Sequence, residues 1–156
     1  MGQILCDIQL DSPEATCAVA VTLGRVLRPG DTLLLEGGIG AGKTHFARCL
    51  IQSRQSTIED VPSPTFTLVQ TYDAPGGEIW HADLYRLTHP REVIELGLDE
   101  AFETAICLVE WPDRLGQLVP SDALTLQFSL AGETARRLVI SGEAARWQPA
   151  LTEAGL

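Results

Sequence analysis

The sequence predicts an α/β fold: a single domain with a mixed, parallel and antiparallel, central sheet flanked by helices. Three observations carry that prediction. An apolar run, Thr32-Leu33-Leu34-Leu35-Glu36, enters a glycine loop, Gly37 to Thr44, and then a helical pattern from His45 to Ile51. That is strand, loop and helix in series. Ala105 to Val109 is a second continuous apolar run, typical of a strand buried on both faces. Two further pairs of runs, joined by Asp73-Ala74-Pro75-Gly76-Gly77 and by Ala131-Gly132-Glu133-Thr134, read as β-hairpins, which make the sheet mixed.

The elements follow in order. Gln3 to Leu10 alternates, with Ile4, Cys6, Ile8 and Leu10 on one side, as a half-buried strand does. Ser12-Pro13 is an N-cap followed by proline at the first helical position, and Val19, Leu23, Val26 and Leu27 continue at helical spacing. Pro29-Gly30-Asp31 turns into the Thr32–Glu36 strand. After the loop and its helix, Gln52 to Asp60 is polar. The prolines of Val61-Pro62-Ser63-Pro64-Thr65 exclude helix and predict a fixed extended loop. Phe66 to Tyr72 and Glu78 to Leu84 are the strands of the first hairpin. Pro90 to Leu96 and Leu98 to Glu103 are short helical pieces separated by Gly97. Asp113 to Leu118 is one or two helical turns. Leu124 to Leu130 and Arg137 to Ser141 form the second hairpin. Residues 142–156 read as a weak helix or a frayed tail. There is no repeat, low-complexity tract or linker, so residues 1–156 are assigned to one domain.

Composition bounds the function. A chain of 156 residues buries about 68–70% of its unfolded surface, enough for a real core. A net charge of −10 argues against strong direct nucleic-acid binding, which rests on Lys and Arg contacts to phosphate. No segment approaches the roughly 20 apolar residues of a membrane span, and the N-terminus carries no secretion signal, so cytoplasm is the expected compartment. The four cysteines, Cys6, Cys17, Cys49 and Cys107, are scattered without Cys-x-x-Cys spacing and are expected to be reduced core residues. The three histidines, His45, His81 and His89, share no metal spacing and are expected to be ordinary surface or core residues.

The glycine loop carries the chemistry. Gly37-Gly38-Ile39-Gly40-Ala41-Gly42-Lys43-Thr44 is a phosphate-binding P-loop in its required context. Glycines let backbone N–H groups approach phosphate oxygens, and the next helix adds its positive dipole end. Lys43 can reach the β- and γ-phosphates, and the Thr44 hydroxyl can ligate Mg²⁺. Lys43 is the only lysine; the other ten basic residues are arginine. The loop's binding set is therefore Gly38, Ile39, Gly40, Ala41, Gly42, Lys43, Thr44 and His45, with a nucleoside triphosphate and Mg²⁺ as the expected ligands. No Asn/Thr-Lys-x-Asp guanine signature is present.

A P-loop needs acidic help with its cation, and in these folds the acid stands at the carboxyl end of a neighbouring strand. Glu110 ends the most apolar run and Asp83 ends Ile79-Trp80-His81-Ala82, so both are candidates for metal binding and for orienting an attacking water. Either can equally be a cap or a solvated turn. Thr65 is a candidate switch residue, its hydroxyl placed to sense Mg²⁺ and the γ-phosphate, or a plain turn residue.

The order Gly-Ala-Gly-Lys-Thr, Ser63-Pro64-Thr65-Phe66, Asp83-Leu84-Tyr85-Arg86 and Glu110-Trp111-Pro112 resembles the TsaE (YjeE) family, from about Ser12 to about Ile140. Those are small bacterial ATPases needed to make threonylcarbamoyladenosine in tRNA, working with a TsaB–TsaD pair. The resemblance implies that Lys43 and Thr44 hold phosphate and Mg²⁺. It implies that Asp83 and Glu110 are the acids near metal and water. It further implies that Thr65 is the switch-like threonine and Trp111 the tryptophan beside the nucleotide. His45 and Ile39 stand where relatives often carry Thr and Leu; neither change removes a phosphate contact.

Around this set, Arg86 is read either as a partner of Glu92 or Glu95 or as an arginine finger. Trp80 is read as packing rather than adenine stacking, and Thr16 as a weak adenine-side candidate. The acidic run Glu92, Glu95, Asp99, Glu100 and Glu103 is a solvated face or a docking patch for a basic partner. The leading functional expectation is an ATP hydrolase, slow alone, with Glu110, Asp83 and Lys43 as catalytic residues, coupled to the partner complex. The alternatives are a nucleotide-gated binding module, in which hydrolysis is incidental, and a small-molecule P-loop kinase.

Overall fold

The computed structural model describes residues 2–156; Met1 lies outside them. The elements are β1 (Gln3–Leu10), α1 (Pro13–Val26), β2 (Thr32–Glu36), α2 (Lys43–Arg54), β3 (Val69–Tyr72), β4 (Ile79–Asp83), α3 (Arg91–Glu95), α4 (Leu98–Thr104), β5 (Ile106–Glu110), β6 (Leu124–Leu130), β7 (Arg136–Gly142) and α5 (Ala144–Glu153). A 3-10 segment, Pro112–Leu118, links β5 to β6 and is interrupted at Gly116. The strands form one seven-stranded sheet in the order β1-β7-β6-β2-β5-β4-β3. β2 pairs parallel with β5 and β6, and β4 parallel with β5. Both expected hairpins, β3–β4 and β6–β7, are antiparallel, and β1 adds antiparallel to β7. The mixed α/β architecture follows the sequence pattern.

Burial on both sheet faces explains the apolar runs Leu33 to Leu35 of β2 and Ile106 to Val109 of β5. Leu33 and Leu35 face one core with Leu23 of α1, Phe46 and Leu50 of α2, and Trp147 and Leu151 of α5. Leu34 faces the other core with Cys107 and Val109 of β5, Val93 of α3, and Leu98 and Phe102 of α4. Each such buried leucine contributes about 1.5–3 kcal/mol. Helix α1 starts where the Ser12 hydroxyl accepts from Ala15 N at 3.1 Å, ahead of Pro13 at the first helical position. Its far end is closed by Arg54, whose Nη1 donates to the carbonyl oxygens of Gly24 and Leu27. Among the described residues no helix is long and apolar enough to cross a membrane.

Two expectations change, and one alternative is settled. The first-hairpin strand begins at Val69, not Phe66, because Leu68 N donates to Pro64 O at 2.7 Å and closes a turn there. Leu68 takes φ 67° and Phe66 is left 83% exposed. Cys17 of α1 and Cys49 of α2 are bonded as a disulfide, with Cα atoms 5.3 Å apart, because the two helices lie side by side on one core. Cys6 and Cys107 are free, as expected, and burial pushes the Cys107 thiol up to about 12. Residues 144–153 form a helix rather than a frayed tail, anchored by the fully buried Trp147 and Leu151.

That anchor is testable. Trp147 Nε1 donates to Asp122 O at 2.7 Å while its ring fills the core under α5. Trp147→Ala is expected to lower unfolding free energy by about 3–5 kcal/mol, read from urea denaturation; a change under about 1 kcal/mol would mean that α5 is not part of the core.

Candidate functional site

The carboxyl ends of three parallel neighbours, β2, β5 and β4, meet at one sheet edge. In an open α/β sheet that edge is where ligands bind. β2 delivers the loop of residues 37–42. Gly37 is required by close approach: a Cβ there would stand 2.6 Å from the Phe128 carbonyl oxygen of β6. Gly42 takes φ 107° as N-cap of α2 and contributes no side-chain cap. The first intrahelical bond runs from Phe46 N to Gly42 O at 2.9 Å. The N–H groups of the first turn are thus left without helical partners, at the positive end of the dipole, with no acidic residue in that turn.

Lys43 points back along the loop. Its Nζ donates to Gly37 O at 2.5 Å and stands 3.5 Å from the centre of the Trp111 ring, a cation–π contact. Trp111 itself takes a left-handed backbone, φ 59° and ψ 53°, which costs about 1–2 kcal/mol for a residue with a Cβ. Its ring packs on Tyr85, with centroids 4.8 Å apart. The Lys43 ammonium is held below its ordinary range by burial, opposed by the carboxylates of Glu110, Asp83 and Asp113.

Two buried carboxylates face the head of α2. Asp83 and Glu110 are register partners across β4 and β5. Thr44 Oγ1 lies 3.0 and 3.1 Å from the two oxygens of Glu110 and donates to that carboxylate. His81 Nε2 lies 2.6 Å from Glu110 Oε2. Asp83 Oδ2 accepts from the Thr65 hydroxyl at 3.1 Å, and Oδ1 accepts from Tyr85 N at 3.0 Å. The Ser63 and Thr65 hydroxyls are 2.8 Å apart. The turn closed by Leu68 therefore brings the proline loop onto Asp83, and Asp83 N also donates to Leu68 O at 2.8 Å. The side-chain oxygens of Thr44, Thr65, Asp83 and Glu110 are hard donor atoms, the kind that suits a small divalent cation.

A cavity of about 450 Å³ opens over the cluster. The expected residues Ile39, Gly40, Gly42, Lys43, Thr44, His45, Thr65, Asp83, Glu110 and Trp111 line it. Two of the expected set do not. Ala41 is buried behind the loop, and Gly38 borders a smaller neighbouring cleft with Glu36 and Asp113. Thr16 is buried with its hydroxyl on Ser12 O, away from the cavity. Arg86 meets neither Glu92 nor Glu95; it lies over the Phe66 ring at 5.1 Å, while Glu92 accepts from Thr88. Trp80 packs against the second core. Among the described residues, no group of three or more His, Cys, Asp or Glu is gathered as a metal cluster.

Four residues that sequence reasoning left unassigned belong to the site or its rim. Ser63 and Tyr85 line the cavity. Arg136 donates Nη2 to the Gly40 carbonyl oxygen at 3.2 Å. His81 is a core histidine, but one bonded to Glu110. A signal for it existed: His81 and Asp83 are two apart on a strand and so share a face.

Comparison with known proteins gives a consistent picture. Residues 10–138 match the family model of the threonylcarbamoyl adenosine biosynthesis protein TsaE. The chain is 37% identical over 134 residues to the tRNA threonylcarbamoyladenosine biosynthesis protein TsaE of Rickettsia bellii, covering 86% of this chain and 93% of that one. It is 35% identical over 138 residues to the TsaE of Bacillus subtilis, covering 88% and 85%. The fold is similar to the crystal structure of Bacillus subtilis YdiB, with a TM-score of 0.82 and 28% identity over 99% of this chain and 96% of that one.

The lowered Lys43 pKa sets a pH dependence. The side chain is charged below that value and neutral above it, and the value lies under the ordinary 10.5. An anion held by this charge binds with constant strength near neutrality and weakens as pH rises through the lowered value. Calorimetric titration with ATP from about pH 7 up through the ordinary lysine range is expected to show that loss, while Lys43→Arg, which stays charged, remains flat. Parallel profiles for the two proteins would exclude Lys43 as the titrating group.

Proposed function

From the premise that the chain belongs to the TsaE family, we propose that it binds and hydrolyses Mg·ATP and thereby supports threonylcarbamoyladenosine modification of tRNA adenosine 37. In this reading it acts with a partner complex of the TsaB–TsaD type. The observation that carries the nucleotide reading is the Thr44 hydroxyl donating to the buried Glu110 carboxylate at the head of α2. A threonine that follows a P-loop lysine and is tied to a strand-end acid is the arrangement that holds a cation beside nucleotide phosphates.

The residues divide the work. The first-turn N–H groups of α2 and the Lys43 ammonium hold phosphate oxygens. Thr44, supported by Glu110, holds Mg²⁺, with Asp83 as the second acid of that set. Mg²⁺, when bound, neutralises charge that develops on the phosphates. Asp83 or Glu110 would orient the attacking water, and Thr65 and Ser63 couple the Asp83 carboxylate to the proline loop. Trp111 keeps Lys43 over the site and closes one wall of the cavity. Among the described residues no arginine lines the cavity, and Arg136 on the rim is bonded to the Gly40 carbonyl oxygen. Slow intrinsic turnover follows, since a cation supplied to the transferring phosphoryl group is worth about 10³–10⁵ in rate. A partner that supplies this charge would accelerate the reaction.

The same lack of a lining arginine among the described residues favours a second reading, a nucleotide-gated module whose ATP-bound form orders a docking surface and whose hydrolysis is incidental. Glu110→Gln separates the two. The amide replaces a charged oxygen with a neutral NH2 that can only donate, so Mg²⁺-dependent turnover is expected to fall at least about tenfold to a hundredfold. ATP binding without metal should persist. Reconstituted tRNA modification, with partners present, should then stop after the first cycle. Repeated cycles at the wild-type rate with this variant would favour the gated module, and modification that is equal with and without the chain would overturn the proposed role.

A further inference from the structure

His81 carries an inference that rests on the reading of the cavity as a Mg·ATP site. Its side chain is fully buried on β4. The ring does not line the cavity and so cannot touch a nucleotide there. Nε2 is 2.6 Å from Glu110 Oε2, while Nδ1 is buried without a hydrogen-bond partner. An ionised carboxylate oxygen only accepts, so the 2.6 Å contact requires hydrogen on Nε2, and the ring donates to Glu110. In register, His81 stands opposite Leu108, and Asp83 stands opposite Glu110. The Glu110 carboxylate therefore reaches back along the sheet edge to the histidine while both of its oxygens remain within 3.1 Å of Thr44 Oγ1.

We propose that His81 is a positioning residue for the cation site: its hydrogen bond fixes the Glu110 carboxylate against Thr44 and so sets the affinity of the ATP complex for Mg²⁺. A carboxylate held by two donors from two elements has one orientation. Without His81 its Oε2 keeps only a shared hydrogen bond from Thr44, and the side chain is free to turn toward the cavity or toward Lys43. Groups that orient ligand carboxylates and their partners in this way typically alter metal affinity by about 10–100-fold when removed.

The test uses the full chain and three variants. H81Q keeps an amide donor near the Nε2 position, H81L removes the donor, and H81N keeps a polar side chain that stops short of Glu110. ATP is titrated calorimetrically across a series of Mg²⁺ concentrations and in EDTA. H81L and H81N are expected to weaken Mg²⁺ dependence about tenfold or more and to leave ATP affinity in EDTA within about twofold, with H81Q recovering most of the loss. H81N carries the test if H81L fails to fold. Unchanged Mg²⁺ dependence in the donor-less variants overturns the proposal while leaving the nucleotide site intact. Equal losses with and without Mg²⁺, not rescued by H81Q, overturn it in favour of a packing role. A wild-type chain that binds no ATP under either condition overturns the site reading and this proposal together.

Discussion

A buried carboxylate, Glu110, is the group on which the site depends. An ionised acid out of water is costly unless its oxygens are hydrogen-bonded. Here the donors arrive from separate elements: a hydroxyl from the first turn of α2 and an imidazole from the middle of β4. Both can meet one carboxylate only if β2, β5 and β4 are parallel neighbours in their observed register. A one-residue slip of β4 would send His81 and Asp83 to the opposite face together. The apolar runs of β2 and β5, buried on both faces, are what make such a slip costly. Core packing and site geometry are thus one constraint seen from two sides.

The loop above that carboxylate stores local strain and balances it with contacts. Trp111 and Leu68 are the only residues other than glycine with positive φ among those described. Each sits next to an acid-bearing strand end. Trp111 follows Glu110 and places its ring under the Lys43 ammonium. Leu68 closes the turn that lowers Thr65 onto Asp83 and accepts from Asp83 N. Strained backbone of this kind persists only where surrounding contacts over-determine it, and it gathers where a side chain must be aimed. In this fold the two strained residues aim Lys43 and Thr65.

Most of the architecture was legible because its signals were local. Thr32–Glu36, Ala105–Val109 and the glycine loop carry their own period and turn chemistry, and Glu110 and Asp83 end the runs that place them. The misses, and the C-terminal alternative the sequence left open, have non-local causes. Phe66 to Leu68 alternates like a strand, but the bond from Leu68 to Pro64 and the pull of Thr65 toward Asp83 override that preference. The C-terminal pattern is weak as an isolated helix, yet Trp147 and Leu151 find a core built by α1, β1 and β6. Cys17 and Cys49 are separated by 32 residues and meet only because α1 and α2 share one sheet face. His81 looked ordinary because its partner lies 29 residues away on another strand.

The most direct measurement is a crystal structure of the chain grown with Mg²⁺ and a non-hydrolysable ATP analogue. The expected result has the phosphates on the N–H groups of residues 38–44, and a cation about 2.0–2.1 Å from Thr44 Oγ1 with Glu110 still bonded to His81. Nucleotide bound away from the loop, or a cation that leaves Thr44 and Glu110 in their mutual hydrogen bond without touching either, would contradict the account.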